Sequence, residues 1–203
     1  MVNFAPQLSE LRAKHVRSID AATHTVGAGR LREFGLDDGA TMRFLAAARF
    51  DPREGAELLG RALSWHETHH ATLSAAHALH AEASAALALN LLPAVTRRGE
   101  RVMVVSPFAQ DSIKWRSHSE VWHEQAGVAI CALLARLADS LSRRSDGLVR
   151  IAIVIDLHGL PAPLADEAGR LLQLHGRLFR DAEHMYPAVV ARVLFARTPP
   201  FAA

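Results

Sequence analysis

Val149-Arg-Ile-Ala-Ile-Val-Ile-Asp-Leu-His-Gly-Leu160 is the stretch that decides the fold. Its β-branched residues predict a strand, and because nearly every position is apolar, the strand is expected to be covered on both faces. Leucines at positions 164, 171 and 178 then predict an amphipathic helix, and Val189 to Phe195 predicts another strand. A strand, a helix and a strand in this order indicate a parallel βαβ unit.

Segments upstream fit the same plan. Arg101 to Ser106 predicts a short strand, and Ser119 to Ser142 predicts a helix with one apolar stripe. A helix is also predicted from Gln7 to about Thr25. The acid and proline of Asp51-Pro52-Arg53-Glu54 predict the start of another.

Ala71 to Leu92 is rich in alanine and leucine and predicts a helix that ends at Pro93. We therefore predict an α/β fold in two parts. Residues 1–92 form a helical N-terminal region, and residues 93–203 form a mainly parallel sheet flanked by helices.

Composition limits the class of protein. Half of the 203 residues are hydrophobic and the formal net charge is +2, without a long basic run, so no nucleic-acid partner is predicted. Cys131 is the single cysteine and lies among apolar residues, which predicts a buried thiol in a reducing, cytoplasmic compartment. The N-terminus lacks the pattern of a secretory signal. No uninterrupted apolar run reaches the ~18 residues that would span a bilayer, so membrane contact is expected to be peripheral.

Two motifs resemble the CRAL-TRIO family of cytosolic lipid carriers, whose members carry phosphatidylinositol, tocopherol or retinaldehyde. Asp156-Leu-His-Gly159, followed by a helix and Tyr186-Pro187, is similar to the family's strand end, crossover helix and Tyr-Pro turn. The segment Met42 to Asp51, with a helix reaching Trp65 after it, resembles the family's N-terminal helical signature. The resemblance covers roughly residues 37–203 and is poor between Thr68 and Arg98.

The resemblance implies a hydrophobic small molecule or a phospholipid as ligand, no cofactor and no covalent chemistry. It also implies transient contact with a membrane surface during lipid exchange. Ala188 stands where phosphatidylinositol binders carry a glutamate, so selective binding of phosphoinositides is not predicted. The family's domain continues beyond the position of Ala203, which predicts an incomplete CRAL-TRIO domain. An interaction module that offers a hydrophobic groove to a protein partner is the alternative.

A lipid cavity needs an apolar floor with a few polar groups near the headgroup. Alternation along the predicted strands gives six candidate lining residues: Val104, Ser106, Ile153, Ile155, Val193 and Phe195. Arg180 and Arg192 are candidates to meet a phosphate. Any buried sheet would show the same alternation.

His66-Glu67-Thr68-His69-His70 matches the zinc-protease pattern, in which two histidines four residues apart share one face of a helix. A zinc hydrolase would need a third ligand and Glu67 to polarise a metal-bound water. The extended pattern is missing, and twelve histidines make a chance match easy. We expect no metal site. Asp156 and Gly159 are expected to order the turn after the strand, and the chain has no Gly-x-Ser-x-Gly elbow for nucleophilic catalysis.

Overall fold

The computed structural model describes residues 7–36, 38–108, 119–160 and 186–197. The helices in this part of the chain are α1 Leu8–Val26, α2 Ala28–Glu33, α3 Asp38–Ala47, α4 Pro52–Thr68, α5 His70–Ser74, α6 Ala76–Leu87 and α7 Glu120–Ser145. The strands are β1 Leu89–Val95, β2 Arg101–Val105, β3 Ile151–Asp156 and β4 Val190–Ala196.

The four strands form one mixed sheet in the order β1-β2-β3-β4. β2, β3 and β4 run parallel, and β1 runs antiparallel to β2. The predicted α/β class and mainly parallel sheet are therefore confirmed, as are the three strands expected from the apolar runs. The helix predicted around Leu164 to Leu178 lies outside the described residues.

β1 corrects the prediction of a continuous helix from Ala71 to Leu92. The helical part breaks into α5 and α6, and Ala88 then takes a left-handed conformation with φ of 46° before the strand begins. Pro93 has no backbone N–H to donate, but it lies on an edge strand. The register of β1 against β2 shifts between Leu91 and Val95, so the sheet needs no hydrogen bond from residue 93. The predicted boundary between residues 92 and 93 falls inside this strand.

Local signals at the helix starts act as predicted. The side chain of Asp51 accepts a hydrogen bond from the backbone N–H of Glu54 at 2.8 Å and caps α4, whose first residue is Pro52. Ser119 caps α7 in the same way through the N–H of Trp122 at 3.2 Å.

Two hydrophobic clusters make up the core. One lies among α1, α2, α3 and α4, around the buried side chains of Phe44, Leu59 and Leu63. The other joins α7 to the sheet and includes Cys131, which is buried as predicted. Among the described helices, α7 has the length and apolarity to cross a membrane, with a mean hydropathy of 1.2 over 18 residues. However, 61% of that window is buried within the protein. The helix therefore forms part of the core.

Arg43 joins the helical region to the α/β part. Its guanidinium donates from Nε to Oδ1 of Asp139 at 2.5 Å, and from Nη2 to Oγ of Ser142 at 2.8 Å, both on α7. It also donates from Nη1 to the carbonyl of Ala188 at 2.9 Å, in the turn before β4. Because only 2% of Arg43 is exposed, these three partners satisfy a charge that burial would otherwise disfavour.

Candidate functional site

The register of the parallel strands assigns each side chain to one of two faces of the sheet. Met103 pairs with Ile153 and Ile153 with Val193, so these three residues share one face, together with Ile155. Met103, Ile153 and Ile155 belong to the same buried cluster as the apolar residues of α7, and Val193 packs against it. We call this side the α7 face.

The opposite side, which we call the valine face, carries Val102, Val104, Val154 and Leu194, with Ala152 and Arg192 between them. The three valines are half-buried and Leu194 is 47% exposed. None of these residues belongs to either hydrophobic cluster found in the described part of the chain. Apart from Arg192, the valine face is thus apolar across three strands. Ala152 is buried at its centre, and the face is most accessible to solvent at Leu194.

This register corrects the predicted lining set. Val104 pairs with Val154 on the valine face, whereas Ile153, Ile155, Val193 and Phe195 lie on the α7 face. A shift of one residue moves every side chain of a strand to the opposite face of the sheet. Because β2 has apolar residues at both its odd and its even positions, its sequence does not show which of them face α7. Ser106 follows the last residue of β2 and is not paired in the sheet.

The predicted residues of the α7 face differ in accessibility. Ile153 and Ile155 are closed in by the core, so their face offers no room for a ligand. Phe195 lies on the outer strand and is 55% exposed. Among the six predicted residues, Val104 is therefore the one on the valine face.

Ion pairs mark the two ends of the valine face. At the amino end, Arg192 pairs with the buried carboxylate of Glu100, which also accepts a hydrogen bond from Oγ1 of Thr96 at 2.8 Å. Burial raises the pKa of Glu100, but hydrogen bonds from Arg192 and Thr96 and the charges of Arg192 and Arg150 outweigh it. The net effect holds this pKa below its ordinary value.

At the carboxyl end, Asp156 pairs with Arg197, whose Nε lies 2.7 Å from Oδ1. The hydrogen bond from Arg197 holds the pKa of Asp156 below its ordinary value, despite burial of the carboxyl. The same Oδ1 accepts from the backbone N–H of His158 at 3.1 Å, and Gly159 has φ of +82°. These contacts confirm that Asp156 and Gly159 order the turn after β3.

In the described part of the chain, cavities also lie away from the sheet. One of about 30 Å³ is enclosed between the helical region and the turn before β4, with Arg43, His66, Arg136 and Tyr186 in its wall. That volume holds about one water molecule. A wider groove of about 510 Å³ lies among α1, α2 and α3. None of the six predicted lining residues lines either of them.

The zinc-protease pattern is split by the structure. α4 ends at Thr68, His69 is a cap, and α5 begins at His70, so His66 and His70 do not share one continuous helix. Glu67 is exposed and pairs with Arg30 at 2.5 Å. Within the described residues, no group of three His, Cys, Asp or Glu side chains is arranged to hold a metal ion.

His66 instead forms part of a buried aromatic junction. It lies 3.0 Å from the hydroxyl of Tyr186 through Nε2, and Trp65 packs edge-on against both rings. Burial, together with the positive charges of Arg136 and His69, lowers the pKa of His66 to about 4. Burial also raises the pKa of Tyr186 above its ordinary value. The hydroxyl of Tyr186 therefore shares a hydrogen bond with a neutral imidazole.

Sequence reasoning missed Val102 and Val154 on the valine face and the pairing of Arg197 with Asp156. Side chains two residues apart on a strand share a face, so Val102 lies on the same face as Val104. Val154 joins them because β3 pairs Val154 with Val104, and that pairing cannot be read from the sequence. Arg180 lies outside the described residues. The chain matches no protein-family model and no curated protein, so its geometry stands alone as the basis for a functional assignment.

Proposed function

We propose that the protein binds a hydrophobic small molecule or the acyl chains of a phospholipid against the valine face. One observation carries this proposal: apart from Arg192, the face is apolar across β2, β3 and β4 and remains partly accessible, whereas the α7 face is closed at Ile153 and Ile155. Removing acyl chains from water stabilises binding by about 0.8 kcal/mol per methylene group. The resemblance to CRAL-TRIO carriers, in which an apolar sheet floor meets a lipid, points the same way.

The ion pairs at the two ends of the valine face suggest how a ligand is oriented. Asp156 follows Ala152 by four residues, so the apolar strip between the ends is roughly 13 Å long. A ligand with an apolar body along the strip would place its polar group at one end, beside Arg192 or Arg197. Binding of this kind requires no covalent step, and exchange would proceed by transient contact with a membrane.

Native mass spectrometry, followed by organic extraction, tests the proposal directly. We expect about one lipid or hydrophobic small molecule per folded chain. Displacement of a fluorescent fatty acid analogue then locates the site. Leu194→Arg places a charge on the accessible edge of the valine face and is expected to abolish probe binding. Val16→Arg, at a position 50% exposed on α1, is the matched control and should bind as the unchanged protein does. A folded protein that binds neither extractable ligand nor probe would refute the proposal.

An interaction module is the second candidate. It is favoured by β4, an outer strand on which Leu194 and Phe195 expose apolar side chains to opposite sides of the sheet. A protein partner would then pair with the strand edge, and no lipid would copurify. Lipid stoichiometry therefore separates the two candidates.

A further inference from the structure

Folding gathers arginines at the amino-terminal edge of the parallel strands, although the sequence has no long basic run. The backbone N–H of Arg101 donates to the carbonyl of Arg150 at 2.9 Å, so the first residue of β2 lies beside the residue that precedes β3. Arg192 of β4 reaches the same edge and pairs with Glu100. Arg97 and Arg98 occupy the turn between β1 and β2 that ends at Glu100. We call these five residues the arginine edge.

Little negative charge balances the arginine edge in the described part of the chain. Among the described residues, Glu100 is the one carboxylate that forms an ion pair with an arginine of this edge, which is Arg192. Arg101 donates to the carbonyl of Pro93, which leaves its charge uncompensated. Arg97, Arg98 and Arg150 are exposed. The edge therefore presents five guanidinium groups against one carboxylate.

The turn that carries Arg97 and Arg98 is held by its own hydrogen bonds. Oγ1 of Thr96 accepts from the backbone N–H groups of Arg98 and Glu100, each at 3.2 Å, and donates to the carboxylate of Glu100. Gly99 closes the turn with φ of +79° and donates its N–H to the carbonyl of Thr96 at 2.9 Å. Neither arginine side chain takes part in these bonds. Both are thus free to meet a partner without any change in the backbone.

We propose that the arginine edge binds the phosphate groups of anionic phospholipids at a membrane surface. Guanidinium groups match phosphate oxygens through two parallel hydrogen bonds, and a cluster of them favours a surface with many phosphates. Val95, in the strand that leads into the turn, is 48% exposed and adds an apolar contact beside the charges. Proteins that bind single-stranded nucleic acid stack bases on aromatic side chains, and residues 93–101 contain none. A membrane therefore fits better than RNA.

Cosedimentation with vesicles tests this proposal on the full chain. Vesicles of phosphatidylcholine with phosphatidylserine are compared with vesicles of phosphatidylcholine alone. We expect binding to the anionic vesicles only, and loss of that binding at high salt. In the double variant Arg97→Gln/Arg98→Gln, partitioning should fall about thirtyfold, since each arginine near an anionic surface contributes about a factor of five.

Arg53→Gln/Arg61→Gln removes two exposed arginines from α4 and is the matched control, expected to bind as the unchanged protein does. The proposal would be overturned if both double variants lost vesicle binding equally, or if the unchanged protein bound neutral and anionic vesicles equally. It would also be overturned if inorganic phosphate, at the concentration of the lipid phosphate, displaced the protein from the vesicles. Binding to a single-stranded RNA without binding to vesicles would do the same. The arginine edge shares Arg192 with the valine face, but Arg97 and Arg98 lie in the turn outside that face. Loss of vesicle binding in Arg97→Gln/Arg98→Gln can therefore be told apart from loss of fatty acid probe binding in Leu194→Arg.

Discussion

His66 is a buried titratable side chain through which pH acts on this fold. It is 6% exposed, and its Nε2 is hydrogen-bonded to the hydroxyl of Tyr186 at the contact between α4 and the turn before β4. Its pKa is lowered from 6.5 to about 4, first by burial and then by the nearby charges of Arg136 and His69. The folded protein therefore keeps this imidazole neutral at pH values at which the unfolded chain would protonate it.

We expect the free energy of unfolding to fall as the pH is lowered from 6.5 to about 4. In this interval the unfolded chain binds a proton at His66 that the folded chain does not, so acid favours unfolding. The full loss is about 3 kcal/mol, reached below the lower pKa. Urea unfolding across this range, on the unchanged protein and on His66→Gln, measures it.

Comparison of the two proteins isolates His66, because the carboxylates Glu100 and Asp156 titrate in both. The stability advantage of the unchanged protein over His66→Gln should shrink as the pH falls. His24→Gln, at an exposed position on α1, should leave the pH dependence intact. A difference between the unchanged protein and His66→Gln that is constant from pH 6.5 to pH 4 would contradict the assignment.

The turn after β3 shows how one element depends on a single backbone position. Gly159 has φ of +82°, and a Cβ there would lie 3.0 Å from the carbonyl oxygen of Phe108. Gly60, inside α4, has ordinary helical geometry, and a Cβ added to it would meet no atom within 4 Å. A methyl group added by alanine would therefore be crowded at Gly159 and unhindered at Gly60.

We expect Gly159→Ala to lower the free energy of unfolding by about 1–3 kcal/mol, because alanine at positive φ is strained and its methyl group crowds a fixed carbonyl. Gly60→Ala should raise it by about 0.5–1 kcal/mol, since alanine favours the helix interior. Thermal and urea unfolding of both variants give the two signs. A neutral or stabilising Gly159→Ala would show that the turn adjusts its backbone.

The elements that the sequence predicts well are those whose signal is local. β2, β3 and β4 are runs of β-branched residues, and α4 begins at a capping acid followed by proline, so each can be recognised from its own residues. For β1 the local pattern predicts helix, because Leu89 to Leu92 continues an alanine- and leucine-rich segment. It is a strand because β2 pairs with it across the turn at residues 96–100, and the residues of β1 alone do not show that pairing.

The candidate site depends on information that no single segment holds. The parity of Val104 is decided by its pairing with Val154, fifty residues later. The partners of Arg43 lie 96 and 145 positions away on α7 and in the turn before β4. The arginine edge likewise combines residues from β2, β4, the residue before β3 and the turn between β1 and β2. The strands could be predicted from their own residues. The side of the sheet that each residue faces could not, because it depends on register and long-range pairing.

At the scale of the whole molecule, β4 leaves the sheet with an outer edge. It pairs with β3 on one side, and within the described residues no strand lies on its other side. Leu194 and Phe195 are 47% and 55% exposed, on opposite faces of that strand. An unpaired edge with apolar side chains is a template for pairing with another chain. Charged side chains commonly protect such edges, and here Arg192 and Arg197 flank an apolar pair at residues 194 and 195.

We therefore expect the protein to self-associate through β4 in a concentration-dependent way. Phe195→Lys should weaken this association about thirtyfold, because burial of one phenylalanine side chain contributes about 2 kcal/mol and lysine disfavours an edge-to-edge pair. Sedimentation velocity over a range of concentrations measures the monomer fraction. Val16→Lys, with similar exposure on α1, should associate as the unchanged protein does. A protein that stays monomeric at all concentrations, or one whose association survives Phe195→Lys, would show that the edge of β4 is not the contact. Lysine at position 195 lies on the α7 face, so displacement of the fatty acid probe from the valine face should persist in the same variant.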